Sequence, residues 1–279
     1  MEKINTITIN NVKVLQGDGN VMLYAHGFGC NQRMWDRVTP AFKNHTQVLF
    51  DYVGSGQSDM AAFDADKYAS LNGYAQDVLD VCDALGLTQG VTFVGHSVSC
   101  CIGMLVSIAR PALFAKLVLV SPNPCFVNHA PNYIGGFESE DLEELLTLMD
   151  QNFLGWADYL APVVSGQGEN GATTAELSDS FCSTDPKTAK IFARATFFSD
   201  NRADLPKVKT PCLILQSRSD TLAPVSVGEY MHAQMPGSTL QVLEVQGHCA
   251  HMSAPALVIA AMQAYLAPPH ELQRHVAKL

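Results

Sequence analysis

Short runs of Val, Ile, Leu and Phe, apolar at successive positions, recur along this chain with helix-like stretches between them. A strand with one wet face alternates apolar and polar side chains. A strand buried on both faces does not, and such strands belong to parallel sheets covered by helices. The runs fall at residues 6–14, 21–25, 47–52, 91–94, 116–120, 212–216 and 240–245, with helical patterns at 32–43, 71–85, 98–110, 225–235 and 254–266. The first run carries Asn10-Asn11 at its middle and can instead fold as an antiparallel hairpin. The pattern predicts a mostly parallel, doubly wound α/β sheet.

Between Ser121 and Pro206 the alternation stops. Pro122, Pro124, Gly135 and Gly136 mark an exit, and residues 138–148, 153–160, 173–181 and 186–198 read as consecutive helices. This predicts a four-helix lid inserted after the sixth strand, counting the hairpin as two. The expected division is a core of residues 1–125 and 200–279 with a lid of 126–199, an insertion in one domain. Open α/β sheets bind ligands at the C-terminal edge that such a lid would cover.

The chain has 279 residues and a formal charge of −10, and a broadly acidic surface disfavours nucleic acid and anionic membrane as partners. The amino terminus lacks a basic segment followed by an apolar one, so a soluble, cytoplasmic protein is expected. The apolar stretch 91–109 is broken by Gly95, His96 and Ser97, which favours a strand and a helix over a membrane span. Eight cysteines show no metal-ligand spacing, and reduced, buried thiols are expected.

Chemistry concentrates where strands end. Val91-Thr92-Phe93-Val94 runs into Gly95-His96-Ser97-Val98-Ser99 and then into a helical pattern. A serine at a strand-to-helix corner is thrust out of the backbone toward the N–H groups of the helix that follows. A hydroxyl is a poor nucleophile without a base and oxyanion donors. His248, after Gly247 at the end of the last strand, is the expected base. Asp220, past the preceding strand, is the expected orienting acid; taken alone, an Asp there could instead cap the helix near Val225. The order Ser97, Asp220, His248 is that of the α/β-hydrolase arrangement. His96 is expected to pack under the corner and His251 to be a loop residue. The Gly-rich His26-Gly27-Phe28-Gly29 follows an early strand, so the N–H groups of Phe28 and Val98 are the expected oxyanion donors. No metal or organic cofactor is required. An Asp-based haloalkane dehalogenase is disfavoured because the corner carries Ser.

Gly54-Ser55-Gly56-Gln57-Ser58 lacks the Lys-Ser/Thr of a phosphate loop and reads as a tight crossover. The insertion and its approaches supply many aromatics. Phe126, Phe137, Phe153, Trp156 and Phe197 are expected to line an apolar substrate pocket, and the rest to pack the helices.

The motifs together resemble the α/β-hydrolase superfamily, and within it the RsbQ-like group of bacterial stress regulators and plant karrikin and strigolactone receptors. The match is carried by His26-Gly27-Phe28-Gly29-Cys30-Asn31-Gln32, Phe50-Asp51-Tyr52-Val53-Gly54-Ser55-Gly56, Gly95-His96-Ser97-Val98-Ser99, Phe181-Cys182-Ser183-Thr184-Asp185-Pro186 and Gly247-His248-Cys249. Ser99 stands where the general superfamily pattern has Gly and looks like the plant receptors' version. The resemblance implies a Ser97–Asp220–His248 triad, a lid over a small hydrophobic cavity, a small hydrophobic ester or lactone as ligand, and a signalling role with a PAS-domain partner. Carbon–carbon bond hydrolysis and perhydrolysis are alternatives open to the same triad.

Overall fold

A computed structural model of the protein describes residues 2–267. The chain opens with helix α1 (Glu2–Ile9), followed by β1 (Lys13–Leu15), β2 (Gly19–Ala25) and β3 (His45–Leu49). Then come α2 (Leu71–Ala84), β4 (Val91–His96), α3 (Val98–Ala109) and β5 (Phe114–Val120). Four helices follow, α4 (Ser139–Gln151), α5 (Phe153–Ser165), α6 (Ala172–Cys182) and α7 (Pro186–Phe197). The strand pattern resumes with β6 (Cys212–Ser219), α8 (Val225–Gln234) and β7 (Ser238–Gln246), and ends in α9 (Ala250–Ser253) and α10 (Pro255–Leu266).

The strands form one sheet in the order β1-β3-β2-β4-β5-β6-β7, parallel except for β1. From β2 the chain crosses outward to β3, then returns to lay β4 on the other side of β2. The loops leaving β2 and β4 therefore diverge to opposite faces and open a crevice at their C-terminal ends. Register fixes how close those ends come, because Ala25 pairs with Gly95. The central strands are apolar on both faces and fully buried, as in β4, where every position is buried.

Expectations about several elements are corrected. Residues 6–14 form neither one strand nor a hairpin: the segment ends α1 and begins β1. Local β propensity at Thr6-Ile7-Thr8-Ile9 is overridden by tertiary contacts. Ile9 packs against the core, and Asn10 reaches Asp51 through a 3.1 Å bond from its Nδ2 to the backbone oxygen. Asn11 then turns the chain at φ 46°, a conformation Asn tolerates. With the hairpin gone, the helical insertion follows the fifth strand rather than the sixth. Residues 32–43 form two 3₁₀ turns, Gln32–Trp35 and Thr39–Phe42, because Pro40 cannot continue a helix from the residues before it.

The four inserted helices are tied to the sheet side by local chemistry. Asp185 caps α7 by accepting from the N–H groups of Lys187 and Thr188, with Pro186 at the first helical position. Thr188 Oγ1 donates to the Gly54 carbonyl at 3.3 Å, and Ser180 Oγ to the Gly29 carbonyl at 2.8 Å.

Two sets of buried polar groups lock the base of this arrangement. In the first, Asp77 on α2 accepts from Lys67 Nζ (2.8 Å), the Tyr68 hydroxyl (2.7 Å) and the Val53 N–H (3.1 Å). Burial pushes its carboxyl above the usual carboxylate range, with Lys67 pulling the other way. Asp77→Ala strands these donors, so a loss of about 3 kcal/mol is expected in urea unfolding, with Asp77→Asn milder. An unchanged midpoint for the alanine variant would show the network to be dispensable.

In the second, behind the sheet's C-terminal edge, sit His26, His96 and His251, all nearly or fully buried. His251 lies in α9 rather than in a loop, its ring between those of Trp35 and His96, tilted to both, with both centroid distances 4.5 Å. Desolvation lowers all three imidazoles, His251 to about 3. The folded state therefore holds them neutral, whereas the unfolded chain takes up protons below about pH 6.5. Stability from this source is complete above that pH and is lost as pH falls toward 3, at up to about 1.4 kcal/mol per pH unit for each group. The urea midpoint is expected to fall steeply between pH 6.5 and 5. His251→Phe should make that slope shallower; an equal slope in the variant would exclude His251 as a contributor.

Candidate active site

Ser97 sits between β4 and α3 at φ 56° and ψ −123°, in a region that residues with a Cβ rarely occupy. The surroundings impose it. Ser97 N–H donates to the Val120 carbonyl at 2.9 Å, which ends strand pairing, while Ser97 C=O already accepts from Cys100 N–H in the first turn of α3. Such strain, held in place by a strand and a helix, is typical of functional residues. Gly95 makes the corner possible, since a Cβ there would lie 2.9 Å from Ser99 backbone atoms.

His248 and Asp220 arrive from the neighbouring end of the sheet. Asp220 follows β6, and its Oδ1 accepts from the N–H groups of Leu222 and Ala223 at 2.9 and 3.0 Å. Its Oδ2 lies 2.8 Å from His248 Nδ1. A carboxylate only accepts, so Nδ1 carries the hydrogen and Nε2 is left with a free lone pair. Nε2 is 2.7 Å from Ser97 Oγ. The turn contacts and the imidazole contact use different oxygens, so Asp220 both shapes its loop and orients the ring.

Position along the loop is set by backbone contacts. His248 N–H donates to the Val164 carbonyl on α5 at 2.8 Å, and His96 Nε2–H donates to the His248 carbonyl at 3.0 Å. His96 thus supports the triad histidine from below, with ring centroids 4.9 Å apart.

The loop after β2 brings Phe28 to the same place. Gly27 backs onto His96, where a Cβ would come within 2.5 Å of the ring nitrogen. Neither the Phe28 nor the Val98 N–H donates a hydrogen bond within the described residues. Val98 is the first residue of α3, where an amide has no partner inside the helix. Two uncommitted amides beside a nucleophile candidate suit a developing oxyanion.

Ser99 has a part that sequence reading missed. Its Oγ donates to the His26 carbonyl at 2.5 Å and lies 2.9 Å from the Tyr52 hydroxyl. A Gly at this position would lose that bridge between α3, the β2 loop and the β3 loop. The pairing of Ser99 with Tyr52, both in the motifs quoted above, was the available signal.

A small, largely apolar cavity of about 30 Å³ meets Ser97 and His248. Of the five residues expected at a pocket, Phe126 and Phe197 line this cavity, together with Phe28, Leu160, Val164, Phe181 and Leu222. Phe137, Phe153 and Trp156 do not reach its wall. Trp156 packs behind Phe28 and Phe181, at centroid distances of 5.9 and 5.5 Å; Phe153 stacks on Trp156, and Phe137 lies beside Phe126. Helical periodicity identifies the inward face of a helix but not how many layers separate it from a void.

Elsewhere, Cys125, His129 and Asp200 bring ligand-type atoms within 4.8 Å of one another. Arg202 already binds both carboxylate oxygens of Asp200, which makes this a poor cation site. Seven cysteines are buried and Cys182 is exposed, all as free thiols. No helix among the described residues is long and apolar enough to cross a membrane.

Comparison with known proteins agrees with the architecture. The chain is 39% identical over 253 residues to a probable esterase of Oryza sativa subsp. japonica, covering 90% of this chain and 93% of that protein. It is 38% identical over 252 residues to the karrikin insensitive 2 receptor CA of Petunia hybrida, covering 90% and 93%. A solved hydrolase structure from Oleispira antarctica superposes with a TM-score of 0.92 at 45% identity, covering 95% of this chain and 97% of that one. Residues 22–261 match the profile of the alpha/beta hydrolase family. With that span and these identities, the chain belongs to the alpha/beta hydrolase family.

Proposed function

We propose that this hydrolase is a serine esterase or lactonase acting on a small, uncharged, largely apolar substrate. The observation that carries the reading is the continuous chain Asp220–His248–Ser97, at 2.8 and 2.7 Å, ending on a strained serine at an apolar cavity. Ser97 Oγ attacks the substrate carbonyl as His248 Nε2 takes its proton. The Phe28 and Val98 amides receive the negative oxygen, and each such donor is worth about 3 kcal/mol at the transition state. His248 returns the proton to the leaving alkoxide. Water, deprotonated by the same imidazole, then releases the acyl group from Ser97.

The substrate class follows from the wall. Phe126, Phe181, Phe197, Leu160, Val164 and Leu222 offer no charge to pair with a phosphate or carboxylate, whose burial there would be costly. A free volume of about 30 Å³ holds roughly two waters, so a substrate of several carbons needs the helices above to move.

A second reading, a ligand sensor with slow turnover, is favoured by the small size of this cavity and by the likeness to a karrikin receptor. The RsbQ-like motifs point to a PAS-domain signalling protein as its partner, and to a stress pathway as its setting. In that reading Ser97→Ala keeps ligand affinity and still supports the downstream response.

Ser97→Ala is expected to lower kcat on p-nitrophenyl butyrate by at least about 10⁴-fold, and Asp220→Asn by about 10³-fold or more, without lowering the thermal midpoint. Turnover at the wild-type rate in Ser97→Ala would refute the nucleophile assignment.

A further inference from the structure

Thr196, on α7, lines the cavity at Ser97 and is 2% exposed, and its Oγ1 has no hydrogen-bond partner among the described residues. A helical threonine ordinarily hands its hydroxyl to a carbonyl one turn back. This one does not.

Most of the other polar side-chain atoms at the wall are engaged. Ser97 Oγ and His248 Nε2 face each other, and His248 Nδ1 is held by Asp220. His96 Nε2 is bound to the His248 carbonyl; its Nδ1 also lacks a partner, and a Cβ on Gly27 would come within 2.5 Å of it. A water on Thr196 would need further polar partners, and the Phe, Leu and Val side chains of the wall offer none.

Resting on the esterase reading above, we propose that Thr196 is a specificity-determining residue that hydrogen-bonds a second oxygen of the substrate, away from the scissile carbonyl. The preferred substrates are then small esters or lactones bearing an ether, carbonyl or hydroxyl oxygen in the acyl part, over their all-carbon counterparts. A hydroxyl both donates and accepts, so any of these oxygens suits it. An ordinary hydrogen bond of this kind is worth roughly three- to tenfold in discrimination.

The test uses isosteric pairs that differ by one oxygen for one methylene: p-nitrophenyl methoxyacetate against butyrate, and 3-methoxypropionate against valerate. Intrinsic reactivity differs within each pair but cancels when enzyme variants are compared. In Thr196→Val, which keeps the side chain's shape, the ether-to-hydrocarbon ratio of kcat/KM is expected to fall about three- to tenfold in at least one pair. Thr196→Ser should restore it. A packing role alone would change both members of each pair alike. An unchanged ratio in both pairs, or one that Thr196→Ser fails to recover, overturns the proposal. The same ratio is read from dissociation constants of the corresponding ethyl esters on Ser97→Ala, with and without Thr196→Val. Failure of esterase chemistry is therefore separate from failure of Thr196 recognition.

Discussion

The C-terminal edge of this sheet, where the candidate site lies, is organised by one backbone constraint, the positive-φ turn at Ser97 between β4 and α3. The turn costs conformational energy and is held only because several buried contacts over-determine it. Ser97 N–H is fixed by Val120 of β5, and Gly95 lets α3 come down on β4 without a clash. Relaxing the turn would swing Oγ away from His248, leave the Val98 amide pointing nowhere useful and loosen the packing of α3.

Around that turn the protein uses its buried polar groups sparingly and for more than one purpose. Asp220 closes its own loop with one oxygen and orients His248 with the other. His96 holds the His248 backbone while packing against His251, and Ser99 ties the β2 loop to Tyr52. The buried imidazoles beneath the triad are neutral at neutral pH. They become unfavourable on acidification, because desolvation disfavours imidazolium in the interior. The same low-dielectric setting that strengthens buried hydrogen bonds is thus the source of the acid sensitivity expected of this fold.

The helices above the crevice supply a wall and little polarity. Their inner face contributes Leu160, Val164, Phe181 and Phe197, with Thr196 as the exception. The second aromatic layer of Trp156 and Phe153 stiffens that wall without touching the void. A small, largely apolar space beside Ser97 is what the proposed preference for uncharged substrates rests on.

Much of this was legible in the residues. Uninterrupted apolar runs with helical patterns between them determined a parallel sheet, because only strands covered on both faces read that way. Gly-His-Ser, Asp220 and Gly-His each stood at a strand end, so the chemistry's residue types and order were visible. Distances were not. That Ser97, Asp220 and His248 meet depends on the strand order β4-β5-β6-β7 and on a reach back across β5, which are long-range choices that local sequence does not encode. Tertiary contacts also made residues 6–9 helical against their β propensity, and they decided that Phe126 reaches the cavity while Trp156 stops one layer short. The physical reason is common to all three: periodicity reports which side of an element faces inward, whereas depth and partner are set by how elements from distant parts of the chain pack together.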